Sequence, residues 1–335
     1  MKKFNPKIIA IAIIAFLIIL LGLYISTISK PIKSEKEIII TVEEGETFYG
    51  ILNKLKEEDK IKGVPFIKLY VKIFNKNIEV KPGEYIINNN STIDELIEDL
   101  TTGRNMGVIS FTIPEGYTVE EIADKLEVEG ICSKKDFMEA LKTYELPSYV
   151  VNKEGKRYAL EGYLFPDTYL IKKDESPQNI IKVMIDRFEE VLKEVEKETG
   201  VSIKSEEIED VIIKASMIEK EAVLDSERST IASVINNRLN IKMMLQIDAT
   251  VIYALGEHVD TVLFEHLEID SPYNTYLNYG LPVGPISNPG IESIKAVVQP
   301  KETDYLFYVL QNDKKSHYFT DNYDDFLNKQ EELGY

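Results

Sequence analysis

Cysteine is almost absent from this sequence: Cys132 stands alone among 335 residues. No intramolecular disulfide can form, so any folded part must rely on its core. Histidine is scarce too, with only His258, His266 and His317. None sits in an HExxH or comparable ligand pattern, and no cysteine pair exists for zinc, so neither a metal nor a cofactor is expected. Cations are outnumbered, and the formal charge is −18. That argues against nucleic acid as a partner, because phosphate binding needs clustered Lys and Arg. What the chain does have is apolar content, 44% hydrophobic and 10% aromatic, enough for a large core and two or three units.

The longest apolar run is IIAIAIIAFLIILLGLYI, residues 8 to 25. At about 1.5 Å per residue it reaches roughly 27 Å, close to the thickness of a bilayer core. Lys2, Lys3 and Lys7 precede it, which keeps the amino terminus in the cytoplasm. The run is long for a signal peptide, and no small-x-small cleavage site follows. The expectation is a cytoplasmic tail over 1–7, a single transmembrane anchor over 8–28, and the remainder outside the cell membrane.

An internal repeat follows a short polar linker. TVEEGETFYGILNKL (41–55) aligns without gaps on TIPEGYTVEEIADKL (112–126). Each copy reads as a strand, a Glu-Gly turn and a helix, and Thr118 with Glu121 forms a capping box. GEYIINNNSTIDELIEDL (83–100) is likewise similar to DTYLIKKDESPQNIIKVMI (167–185). Two copies of a small α+β unit thus span about residues 38 to 188. The first resembles a LysM-like module, over 38–106, and that resemblance implies contact with N-acetylglucosamine-containing glycans. A packing or spacer module fits the same pattern.

Beyond residue 188 the spacing predicts helices near 178–199, 206–224, 227–240, 291–298 and 322–333. YLFYVL (305–310) and SHYFT (316–320) read as a hairpin across the turn NDKK. Residues 241 to 290 read as a long polar region containing Gly and Pro.

Within IIKASMIEKEAV (212–223) two glutamates flank Lys220. With Ala215 at zero on a helical wheel, Ile208, Val211, Ile212, Ile218 and Ala222 fall within roughly 60° of it. Glu219 falls at roughly +40°, inside this apolar stripe, and Glu221 at roughly −120°, among the solvated charges. A carboxylate beside Ile and Ala is costly unless paired or protonated. Two explanations stand side by side for Glu219. One is a buried ion pair with Arg228 or Arg238; the other is a general acid in an apolar setting.

ASMIEKEA (215–222), VINNRL (234–239), MLQIDATVIYALG (244–256), SPYNTY (271–276) and GLPVGPISNPG (280–290) occur in that order, after LEGYLFPDTY (160–169). Together they resemble the YceG-like family of endolytic murein transglycosylases, over a catalytic domain assigned to 107–335. Ala249 and Val283 depart from the family pattern, which has proline at both places. The resemblance implies cleavage of the bond between N-acetylmuramic acid and N-acetylglucosamine inside nascent peptidoglycan strands, without water. One carboxyl serves as acid and then as base, closing a 1,6-anhydro ring. The resemblance places that role on the first glutamate of the E-K-E motif, Glu219. It implies further cleft residues: Glu161, Tyr163, Gln246, Asp248, Thr250, Tyr273, Asn274, Thr275 and Asn288. For each of these a purely structural turn or strand role fits as well.

The reading is therefore a membrane-anchored α+β lytic transglycosylase. Its partners are peptidoglycan glycan strands and, as the family suggests, peptidoglycan synthases. Glu219→Gln is expected to abolish activity and Glu221→Gln to keep it. Two other readings remain open: a hydrolytic muramidase with Asp248 or Glu161 as second carboxylate, and a non-catalytic peptidoglycan-binding scaffold.

Overall fold

The structure is a computed structural model that describes residues 6–74, 78–103, 108–173, 175–256, 259 and 262–334, with the side chains of 6–12 and 108 outside the description. Most of the expected cytoplasmic tail, the boundary expected at 106/107, and His258 lie outside the described residues. The chain is mixed α+β. It divides into two compact units, Met1–Ser110 with Leu170–Lys173, and Phe111–Tyr169 with Asp174–Tyr335.

The first unit contains helix α1 (Pro6–Ser29), strand β1 (Ile38–Val42), helices α2 (Phe48–Glu57) and α3 (Val64–Ile73), strand β2 (Gly83–Ile87) and helix α4 (Ile93–Thr102). β1 and β2 pair antiparallel, with Ile38 opposite Ile87 and Ile40 opposite Tyr85. Strand alternation turns Ile38, Ile40, Val42, Tyr85 and Ile87 inward, where they pack with Phe48, Leu52, Ile67 and Leu96. Among the described residues no helix is long and apolar enough to cross a membrane. The described side chains of α1 nonetheless present Ile13, Phe16, Leu17, Ile18, Leu21 and Ile25 largely exposed.

Strands β3 (Val108–Thr112) and β4 (Thr168–Lys172) each have residues in both units, and the second unit holds α5 (Val119–Val128), α6 (Lys134–Thr143) and the long helix α7 (Pro177–Thr199). β3 pairs with β4. The repeat has a structural counterpart: strand, two helices, strand and helix recur in the same order in both copies. Gly45 and Gly116 hold equivalent left-handed turns at φ +80° and +76°, a conformation that glycine adopts without steric cost. The predicted capping box is present at α5. The Thr118 hydroxyl accepts from Glu121 N at 3.2 Å, and the Glu121 carboxylate accepts from Thr118 N at 2.7 Å. Thr118→Ala should lower stability by about 1 kcal/mol, measurable as a drop in the urea midpoint.

The remaining elements are α8 (Ile208–Glu221), α9 (Asp225–Asn240), α10 (Asp248–Leu255), α11 (Ile291–Val298), β5 (Phe307–Leu310), β6 (His317–Thr320) and α12 (Tyr323–Leu333). β5 and β6 form the expected hairpin, with Tyr308 opposite Phe319 and Leu310 opposite His317. Two differences from the sequence reading matter. α8 stops at Glu221, and Ala222 to Leu224 break the chain before α9. α10 lies inside the stretch read as a polar loop region. α8 packs on α9, α10 and α11, around a core of Ile213, Met217, Ile218, Ile231, Ile235, Ile247, Tyr273 and Ile286.

Candidate active site

α8 is buried on more than one face. Ile212, Ile213, Ala215, Ser216, Met217 and Ile218 are all at or below 1% exposure. A single apolar stripe does not describe such a helix, and the wheel's placement of Glu221 among solvated charges is corrected. Glu221 follows Met217 by one turn and is half-buried. Its Oε2 accepts from the Tyr308 hydroxyl of β5 at 3.0 Å.

Burial raises the Glu221 carboxyl to about 7; the Tyr308 hydrogen bond and the Arg238 charge pull it down, while the Asp248 charge pushes it up. The position adds to the effect, because Glu221 is the last residue of α8, at the negative end of the helix dipole. Around it stand Asp248 at the start of α10, which accepts from the Tyr276 hydroxyl, and Arg238 of α9. Arg238 is fixed by the carbonyls of Leu306 (2.6 Å) and Leu245 (2.7 Å) and lies over the Phe307 ring. A carboxyl that is half protonated near neutrality can give up a proton and take one back.

Glu219 has a different setting. Its side chain is 6% exposed and pairs with Arg228 at 3.2 Å. The same oxygen, Oε2, accepts from Gly290 N at 3.0 Å and Ser293 Oγ at 2.8 Å. Arg228 is itself tied to Ser293 (2.5 Å) and Asp225 (2.9 Å). The ion pair with Arg228, one of the two explanations given for a carboxylate in the stripe, is present. These contacts tie Glu219 to the start of α11. Gly290 begins α11, and the Glu-Gly turn at 115–116 meets the same loop through Gly116 N→Asn288 O (2.8 Å) and Asn288 N→Tyr117 O (2.8 Å). The Glu115 carboxylate lies where a β-carbon on Gly290 would sit.

Of the other expected cleft residues, only Gln246 and Asp248 are exposed. Gln246 adopts φ +49°, uncommon for a residue with a side chain and a feature that clusters at functional sites. Glu161, Tyr163, Thr250, Tyr273, Asn274, Thr275 and Asn288 are buried and hydrogen-bonded within the chain. Glu161 accepts from Val119 N (3.0 Å), Tyr253 OH (2.9 Å) and Asn288 Nδ2 (3.1 Å). Burial pushes its carboxyl up to about 8 against the Tyr253 and Val119 donors. It floors a cleft of about 390 Å3 whose walls include Glu120, Tyr158, Lys220 and Ile252.

Tyr163 donates to Glu209 at 2.5 Å, and Glu209 is paired with Lys156 at 2.6 Å. Thr250 and Thr275 bond to each other at 2.9 Å. Asn274 donates to the carbonyls of Leu267 and Ile269, and the Tyr273 hydroxyl accepts from Arg157 N. They shape the loops that carry Gln246, Asp248 and Tyr276. The sequence reading missed Tyr308, Tyr276 and Arg238 as site residues. Tyr308 is 87 positions from Glu221, and no local spacing could connect them.

The comparisons agree with one another. The YceG-like family matches residues 40–332. An endolytic murein transglycosylase of Bacillus subtilis is 36% identical over 308 residues, covering 87% of this chain and 84% of that protein. One from Streptococcus pneumoniae is 28% identical over 319 residues, 87% of this chain but 57% of its own length. The crystal structure of a YceG-like protein from Listeria monocytogenes superposes with a TM-score of 0.58 at 32% identity, covering 88% of this chain and 99% of that one. With nearly the whole chain inside the matched span, it belongs to the YceG-like family.

Proposed function

We infer that the chain is a peptidoglycan lytic transglycosylase, and that Glu221, in place of Glu219, carries the proton. The observation that supports this most is the Glu221 environment: burial against a single hydroxyl donor, with the carboxyl raised to about 7. The protonated carboxyl donates to the oxygen between N-acetylmuramic acid and N-acetylglucosamine. Charge builds up at the muramic anomeric carbon as that bond breaks. The resulting carboxylate removes the proton of the C6 hydroxyl, whose oxygen closes the 1,6-anhydro ring. Glu221 returns to its starting state, and no water is consumed. Asp248, whose charge acts on Glu221, favours the positive charge that develops on the sugar ring.

The names of the relatives support endolytic cleavage of murein as the reaction class. The apolar, outward-facing side chains of α1 support a single membrane anchor with the rest of the chain outside the cell. Peptidoglycan synthases working on the same strands are the proposed protein partners. The strand–helix–helix–strand order of β1 to β2 supports a LysM-like, glycan-contacting role for the first unit.

Product mass tests the reaction. Purified protein on uncrosslinked glycan strands should give fragments ending in anhydro-muramic acid, lighter by one water than the products of hydrolysis. Fragments carrying the extra water would establish a muramidase instead. The proton inventory gives a second check. Activity needs protonated Glu221, so kcat/KM should be flat below a midpoint near 7 and fall about tenfold per pH unit above it. A profile flat to pH 9 would exclude Glu221 as the acid.

A further inference from the structure

Tyr308 reaches Glu221 from a two-stranded hairpin, with its ring packed against the core around α8. What stands behind it is His317. The two rings meet edge to face, with centroids 5.4 Å apart and planes at 90°. His317 is buried, and Glu227 of α9 clamps it twice. The Glu227 carboxylate accepts from His317 N at 3.1 Å and meets ring Nδ1 at 2.8 Å. Phe319 closes the other side, 6.0 Å from both rings. Glu227 sits in the first turn of α9, three residues beyond the break that follows Glu221, so the clamp lies close in sequence to the end of the Glu221 helix.

We propose that His317 is a positioning residue: held by Glu227, it braces Tyr308 so that the phenol stays on Oε2 of Glu221 and leaves the other carboxyl oxygen to the substrate. This rests on Glu221 being the proton carrier. Deprived of the brace, Tyr308 gains freedom to leave Oε2, and a hydroxyl donor that favours the carboxylate is lost. The remaining groups that face Glu221 are Asp248 from α10, Arg238 from α9 and, beyond Asp248, Tyr276. None of them is altered by a change at His317.

The test uses the full chain and uncrosslinked glycan strands. His317→Gln should lower kcat by roughly tenfold to a hundredfold, leave KM within about twofold, and move the alkaline limb of kcat/KM upward. Glu227→Gln should do the same to a smaller degree, and it carries the test if His317→Gln does not fold. In the Tyr308→Phe background, either substitution should add less than about twofold, because residues acting through one another are not additive. An undiminished effect in that background, or an unmoved limb with unchanged kcat, overturns the bracing role. If Glu221→Gln retains full activity, the Glu221 assignment fails. If Glu221→Gln is inactive and His317→Gln is silent, only the brace fails.

Discussion

Replacing Glu221 by Gln is expected to abolish release of anhydro-muropeptides, with a loss of about a thousandfold or more in kcat. The amide keeps the shape and still accepts from Tyr308, but it has no proton to give. Glu219→Gln is expected to retain most activity at permissive temperature. Its cost falls on stability, since Arg228, buried beside it at 3.2 Å, loses that carboxylate and keeps Asp225 and the Ser293 hydroxyl. Breaking a buried pair from one side costs about 3–5 kcal/mol when the remaining charge is left uncompensated, and with Asp225 and Ser293 still on Arg228 the loss should fall below that range, at about 2 kcal/mol.

The two variants should also differ in how stability depends on pH. The Glu221 carboxyl is raised above its ordinary 4.5 to about 7 in the folded state. The folded chain therefore binds more protons than the unfolded chain between those values. Parent stability declines as pH rises through that window, by something on the order of 2 kcal/mol. Glu221→Gln removes this decline and should unfold at higher urea than the parent at pH 8. A Glu221→Gln protein that is both active and no more stable at pH 8 would contradict the assignment on two independent measurements.

The largest stability effect is expected at Gly162. It lies at φ +90°, and a β-carbon there would stand 2.7 Å from Ile212 of α8 and from two ring carbons of Pro285. These are core atoms with nowhere to go, Ile212 being fully buried. Gly162→Ala combines the left-handed backbone penalty, about 1–2 kcal/mol, with overpacking of about 1–3 kcal/mol. A total near 3 kcal/mol is expected, read as a fall in the urea midpoint at unchanged slope. Gly116→Ala, whose β-carbon would meet nothing closer than Glu219 Cγ at 3.5 Å, should show only the backbone part. Equal losses at the two positions would mean that the close approach of LEGYLFPDTY to α8 carries no energy.

What could be read from the sequence was local. The Thr118–Glu121 box, the Glu-Gly turns and the hairpin of residues 305–320 depend on neighbours within a few positions, and each appears where its pattern sits. The helical wheel separated Glu219 from Glu221 and set Glu219 in the buried stripe, where it pairs with Arg228, but it placed Glu221 among the solvated charges. It assumes one buried face, and α8 is wrapped by α9, α10, α11 and, at its end, by Tyr308 from a hairpin 87 residues downstream. α10 was hidden because it has eight residues, two turns that start and finish within a loop-rich stretch. The polar residues of SPYNTY and SNPG were legible as turn chemistry, and Asn274 and Asn288 do hold backbone carbonyls and amides in place.

The stitch between the Glu-Gly turn and the 288–290 loop has a kinetic consequence. Asn288 donates through its side chain to Tyr117, a partner 171 positions earlier. The loop also receives Glu219 of α8 at Gly290. Contacts of such separation are formed only after a large loop has been closed, and chains dominated by them fold slowly. During synthesis, α8 is complete long before residue 290 emerges, so Glu219 waits without its Gly290 and Ser293 donors and Arg228 without the Ser293 acceptor. Amide exchange at Gly290 should therefore become protected late in refolding, after the capped turn at Thr118.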